Sequence, residues 1–167
     1  MRAYQYVDPV TFAWRGLHYS TLGPDSRNFY PILIGEMGLV HGFNYGRLND
    51  LQVQTGIDPN SLFGSKLLLT SFETRLPFTG PERLAVIKSG ALFSELAWFI
   101  DGGIAFDDYS ELNSDGVDGG VKRQWVFSTG VSARINVFGA IIVEPYYAWP
   151  LLKGAKGSFG IFLVPGW

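Results

Sequence analysis

The stretch QWVFSTGVSARINV, residues 124–137, alternates apolar and polar residues along nearly its whole length. One face carries Trp125, Phe127, Val131, Ala133, Ile135 and Val137, and the other carries Gln124, Ser128, Gly130, Ser132, Arg134 and Asn136. A period of two residues is typical of a β-strand with one apolar and one polar face. The stretch therefore predicts a strand in a sheet that separates two different environments.

The same alternation recurs along the rest of the chain. It predicts further strands at residues 10–20, 66–76, 96–106, 140–149 and 158–167, with residues 2–7 as the tail of another. The polar faces carry charges, such as Glu73 and Arg75 in one strand and Asp101 in the next. A tight turn is predicted at residues 136–139, and no helix is predicted. The sequence thus predicts an all-β, antiparallel fold.

Composition limits the possible functions. The chain has 167 residues, 47% of them hydrophobic, which fits a single domain over residues 1–167. The net charge of -2 and the thinly spread Lys and Arg argue against nucleic acid as a partner. There is no cysteine, and no cofactor or metal site is implied. The acidic loop NSDGVDGG, residues 113–120, lacks the spacing of a calcium loop and is expected to be flexible and external.

The connections fall into two classes. Residues 22–64, 107–122 and 151–157 are long, polar or glycine-containing segments, whereas the alternate connections at 78–91 and 136–139 are shorter on average. Long loops on one side and turns on the other are typical of a transmembrane β-barrel. Tryptophans near the predicted strand ends, Trp14, Trp125, Trp149 and Trp167, fit an aromatic girdle. A soluble β-barrel or sandwich also alternates, and the face that carries the charges would distinguish the two.

Four short motifs carry a resemblance that covers nearly the whole chain. They are LVHGF at 39–43, FETRLPF at 72–78, FIDGG at 99–103 and GVSARINVFG at 130–139. Their types and order resemble the V-R-G-F/Y, E-x-R-x-P, F-x-D-x-G and G-x-G-x-R motifs of the bacterial outer-membrane surface-antigen superfamily, which includes the BamA and TamA assembly proteins. The resemblance implies that the 22–64 segment folds back into the barrel lumen.

The resemblance also implies a latch between this loop and the barrel wall. In the family an arginine of the loop motif meets the acidic residue of the F-x-D-x-G strand, and His41 stands at the arginine position here. Histidine, unlike arginine, changes charge near neutral pH, so we expect a weaker, pH-sensitive contact with Asp101 or Glu73. A surface histidine without a partner is the alternative. The latch residues implied are His41, Gly42, Phe43, Glu73, Asp101 and Gly103.

The remaining inward charges are expected to have a structural role. Arg15, Arg75, Arg134 and Glu144 would line the lumen and pair across neighbouring strands, or simply stand in water. No arrangement of nucleophile, base and orienting group can be assembled around His18 and His41. The chain is therefore not expected to be an enzyme.

The strand count decides the functional expectation. Six or seven strands cannot close a barrel of about sixteen, the number the resemblance implies. The opening MRAYQYVDPV, residues 1–10, does not show the apolar centre of a signal peptide, and we expect the chain to be the C-terminal portion of a longer outer-membrane protein of a Gram-negative bacterium. The terminal seam strand, with Phe159, Ile161, Phe162, Leu163 and Trp167, would meet the missing part of the barrel or a client outer-membrane polypeptide, in contact with outer-membrane lipid.

The resemblance implies that the intact protein inserts or translocates other polypeptides, or anchors a fused upstream domain. The alternative is a soluble closed β-barrel or sandwich that binds a small apolar ligand. In that case Tyr146, Tyr147 and the aromatic rows would form its core or pocket.

Overall fold

A computed structural model describes residues 1–23, 30–83, 85–90, 93–112, 117–118, 121–137 and 140–165. Its main feature is an antiparallel sheet, which confirms the all-β prediction. The seven principal strands are β1 (Arg2–Val7), β2 (Val10–Ser20), β3 (Lys66–Gly80), β4 (Phe93–Phe106), β5 (Val126–Val137), β6 (Ile141–Pro150) and β7 (Ser158–Pro165). Each strand pairs with its neighbour in the chain, and the short strand Ile87–Lys88 pairs in parallel with the end of β3.

All seven predicted strands are found, two of them (residues 2–7 and 10–20) with the predicted bounds and the others with ends shifted by a few residues. β3 continues to Gly80 and β4 begins at Phe93, because Pro77 is accommodated by an irregularity in the pairing between Pro77 and Thr79. The tight turn predicted at 136–139 is described only in part, since Phe138 and Gly139 lie outside the described residues.

The sheet is open. Among the described residues, β1 pairs only with β2 and β7 only with β6, so each has one free edge. Because every neighbouring pair is antiparallel and the strands are seven in number, β1 and β7 run in the same direction. The two edges therefore could not close on each other by the antiparallel pairing used in the rest of the sheet.

The two faces of the sheet differ sharply. We call the face that carries Glu73, Asp101 and Arg134 the inner face. Within the seven strands as described, the Asp, Glu, Lys and Arg side chains lie on this face by register, except Lys66, which is buried at the first position of β3.

The opposite, outer face is apolar and exposed. Exposed side chains on this face include Phe12, Trp14, Phe72, Leu96, Trp98, Ile100, Phe127, Val131, Tyr147, Trp149, Phe159, Ile161 and Leu163. Ile104 and Phe106, expected in the same row as Trp98, are buried instead. The Phe106 ring packs edge-on against Tyr109, so the loop after β4 contributes to covering the end of the strand.

Residues 30–65, the described part of the segment between β2 and β3 that adjoins β3, form a small folded cap on one half of the inner face. It contains a two-strand pair, Ile32–Leu33 with Phe63–Gly64, and the helix α1 (Leu48–Thr55), so the expectation of no helix was wrong. Buried apolar residues of this cap pack with inner-face residues of the sheet in one cluster: Leu33, Ile34, Val40, Phe43, Leu48, Leu51, Ile57, Leu62, Leu67, Leu69, Ala105 and Val126.

The helix gives only a weak signal in sequence. In LNDLQVQT the two buried residues are Leu48 and Leu51, three positions apart, and the chain leaves the helix at Gly56, whose φ of 73° is left-handed. One turn of spacing and a glycine stop are too little to identify an eight-residue helix without its tertiary contacts.

Candidate functional site

The tip of the cap, residues 39–43, lies on the inner face where His41 contacts Asp101 of β4. The Nδ1 atom of His41 lies 2.6 Å from Oδ2 of Asp101, and the backbone N–H of His41 donates to the same oxygen at 3.1 Å. Both side chains are buried, at 4% and 0% exposure. Of the two partners expected for His41, the structure therefore brings Asp101 to it, while its hydrogen bonds do not include Glu73.

The Asp101 carboxylate has donors on both oxygens. Ser71 Oγ, on the neighbouring strand β3, donates to Oδ1 at 2.6 Å. Because an ionised carboxylate only accepts hydrogen bonds, Nδ1 is assigned as the protonated nitrogen of His41 in this pair. Three donors compensate a fully buried carboxylate, which would otherwise be costly to place away from water. The Nε2 atom of His41 is buried and has no hydrogen-bond partner among the described residues.

An aromatic cage surrounds the His41 ring. Phe99 of β4 stacks on it with ring centroids 4.1 Å apart, Tyr146 of β6 meets it edge-on at 4.7 Å, and Phe162 of β7 lies at 5.1 Å. Through the His41 ring, the loop tip thus contacts three strands of the sheet: β4, β6 and the last strand, β7.

Small residues make this close packing possible. A Cβ atom on Gly130 would lie 2.6 Å from Cζ of Phe99, and one on Gly160 would collide with the Tyr146 ring. A Cβ on Gly103 would press on Leu69 and on Ile34 of the cap. Gly42 has a φ of +84°, a conformation that favours glycine. Adjacent to it, Phe43 is fully buried in the apolar cluster of the cap.

Arg15 of β2 provides a second attachment for the cap. Its Nη2 atom donates to the carbonyl oxygens of Gly38 at 3.0 Å and Leu39 at 3.1 Å. Arg15 was expected to line the lumen and either pair across strands or stand in water. It lines the cavity on the inner face, and among the described residues it donates to these backbone carbonyls of the cap.

The other inward charges form a connected group, which we call the charge ladder: Arg75, Glu73, Arg134 and Glu144. Arg134 forms a bidentate ion pair with Glu73, in which Nη1 donates to Oε2 at 2.8 Å and Nη2 donates to Oε1 at 3.1 Å. The Nε atom of Arg134 lies 3.2 Å from Oε2 of Glu144. Glu73 also accepts from Arg75 at 2.7 Å, and Glu144 accepts from Ser132 at 2.8 Å.

The charge ladder crosses β4 without a member on that strand. Glu73 is in register with Phe99, and Arg134 is in register with Glu95, so the contact passes over the position of Ala97 between them. Ala97 is 5% exposed, and its methyl side chain leaves room for the bridge. Next to the cap, this region borders a partly open cavity of about 680 Å³, lined among others by His41, Glu73, Arg134 and Phe162.

The residues expected in the terminal seam strand divide between the two faces. Phe159, Ile161 and Leu163 are 63%, 56% and 71% exposed on the outer face. Phe162 points inward and stacks on Tyr146 at 4.7 Å. Trp167 lies outside the described residues.

Sequence reasoning missed a further attachment of the cap, which is formed by Arg123. This side chain pairs with Glu111 at 2.9 Å and with Asp107, and it donates to the backbone carbonyls of Asn60 and Phe63. It thereby joins the start and end of the 107–122 connection to the cap. Parts of that connection, residues 113–116 and 119–120, lie outside the described residues. No local spacing marks a contact between residues 60 positions apart, so a single sequence offers no signal for it.

Comparison with family models, curated protein sequences and solved structures finds no match to this chain. None of the described helices is long and apolar enough to cross a bilayer. In the same described residues, no three His, Cys, Asp or Glu side chains are grouped so that they could hold a metal ion.

Proposed function

We propose that this chain is part of the wall of an outer-membrane β-barrel of a Gram-negative bacterium. The observation that carries the proposal is the distribution of polarity: apart from Lys66, the charged side chains of the seven described strands lie on the inner face, while many large apolar side chains of the outer face are exposed. In a soluble barrel or sandwich the apolar rows pack inside. An exposed apolar band with a charged interior is the arrangement expected for strands surrounded by lipid.

The open edges give this wall its function. In hydrocarbon the unpaired N–H and C=O groups of an edge strand must find partners, so the edges of β1 and β7 are covered by other strands. By its resemblance to the surface-antigen superfamily, the chain takes part in insertion or translocation of outer-membrane polypeptides. The free edge of β7 is then the element that receives an incoming strand.

Membrane contact can be measured through Trp98, which lies in the middle of β4 and is 44% exposed on the outer face. The chain is refolded into vesicles of phosphatidylcholine carrying bromine on the acyl chains, which quenches nearby tryptophan. We expect Trp98→Phe to remove part of the quenched signal. A chain that stays monomeric and soluble without lipid or detergent, with no quenching, contradicts the membrane proposal and supports the soluble alternative.

Strand reception needs a separate test, which the absence of native cysteines simplifies. The probe is a synthetic peptide of about ten residues with alternating polarity and one cysteine, the length of a membrane-spanning strand. We expect it to form a disulfide with Ile161→Cys on β7. The matched control is Phe72→Cys on β3, which has neighbours on both sides. Equal cross-linking at the two positions, or none at Ile161→Cys, contradicts strand reception.

A further inference from the structure

Phe162 lies where the edge strand β7 meets the cap. Its ring is stacked on Tyr146 of β6 and is 5.1 Å from the ring of His41, measured between centroids. A Cβ atom built on Gly38 would lie 3.3 Å from the Phe162 ring, so this ring also packs closely under the backbone of the cap. Phe162 is therefore the described β7 side chain that contacts the latch directly.

The cap tip also rests on β6, the strand from which β7 would have to separate. The space next to Gly42 is filled by Ala148 and Pro150, and Asn44 donates to the hydroxyl of Tyr146 at 3.4 Å. Tyr146 thus contacts His41 on one side and Phe162 on the other. A displacement of β7 that carries Phe162 away removes one wall of the cage in which His41 is held.

We propose that Phe162 couples the position of the cap to the pairing of β7, so that separation of β7 from β6 weakens the contact of His41 with Asp101. The inference rests on the proposed function, because it describes how the strand-receiving edge is controlled. When the cap is seated, Phe162 is packed between Tyr146, His41 and Gly38, and β7 is stabilised on β6. When β7 moves to meet an incoming strand, the cap loses that support.

Coupling between two sites is reciprocal in free energy. Opening of the cap must weaken the pairing of β7 by the same factor by which separation of β7 weakens the seating of the cap. Loss of the Phe162 ring should therefore loosen the cap, and loss of the His41 ring should loosen β7. A side chain that only filled space within β7 would not act on the cap. This reciprocity distinguishes coupling from a local packing defect.

The test is amide hydrogen exchange of the full chain in detergent micelles. In Phe162→Ala we expect exchange of residues 38–43 to rise about tenfold, a coupling in the usual range. In His41→Ala we expect exchange of residues 158–163 to rise as well. The matched control is Phe159→Ala on the same strand, whose ring is 63% exposed on the outer face and should leave residues 38–43 unchanged.

Phe162→Leu covers the case in which the alanine variant fails to fold, since it keeps apolar volume and removes only the ring. It should give a smaller rise in the same residues. Equal exchange of residues 38–43 in the variants of Phe162 and of Phe159, or an effect of His41→Ala confined to the cap, overturns the coupling. The measurement needs no incoming strand. Failure of the peptide cross-link would therefore reject strand reception and leave the coupling standing, and the reverse also holds.

Discussion

The inner face of the sheet is stabilised in two different ways along its length. The half under the cap is covered by an apolar cluster, and the tip of the cap is held by the buried contact of His41 with Asp101. The other half has no such cover and carries the charge ladder beside a cavity of about 680 Å³. One half is covered by apolar side chains and places one fully buried carboxylate at the tip of the cap, whereas the other half balances charge among four side chains.

This contrast predicts which single substitution should lower the free energy of unfolding most. The latch joins residues 60 positions apart, and removal of Asp101 would leave donors of His41 and Ser71 without an acceptor at a fully buried point. The ladder has redundant partners, since Glu73 is bound by both Arg75 and Arg134. Its two arginines are also more exposed than the latch, at 23% for the Arg75 side chain and 19% for that of Arg134, which reduces the cost of losing one contact.

The largest effect is expected for Asp101→Ala. It leaves buried donors unpaired and should lower the free energy of unfolding by about 3–5 kcal/mol, the usual cost of breaking a buried charged contact. The measurement is equilibrium urea unfolding in detergent micelles. The control is Asp50→Ala, which removes an exposed pair with Arg47 and should change stability by less than about 1 kcal/mol. Equal losses in the two variants would show that the contact of His41 with Asp101 contributes no more to the free energy of unfolding than an exposed ion pair does.

A smaller loss is expected for Arg134→Met, which keeps much of the side-chain volume and removes the charge. Glu73 retains Arg75, and Glu144 retains Ser132, so the loss should be about 2–3 kcal/mol, the scale of hydrogen bonds to charged groups. Lys88→Met serves as the control, since its pair with Glu82 is exposed on both sides. A loss for Arg134→Met larger than that for Asp101→Ala would reverse the ranking of the two halves.

The sequence predicts the strands of the sheet better than the structure of the cap, for physical reasons. The strands could be predicted because alternation in segments such as 126–137 directly reflects which face each side chain occupies. Asp101 could be named as a partner of His41 through the family motifs. The helix at Leu48–Thr55 and the Arg123 contacts could not, because they depend on tertiary packing between distant segments.

Arg15 stands between the two halves, since it lines the cavity and binds the cap through the carbonyls of Gly38 and Leu39. Arg15→Met should cost about 1–2 kcal/mol, because the two carbonyls it leaves are only partly buried and can bind water. Protease cleavage of residues 30–47 measures cap opening, which should rise modestly. Arg2→Met, opposite Arg15 on β1 and likewise at the cavity, is the control and should leave cleavage unchanged. If Arg15→Met opens the cap as fully as Asp101→Ala, the Arg15 and Asp101 contacts hold the cap equally well. The larger contribution assigned to the Asp101 carboxylate would then be wrong.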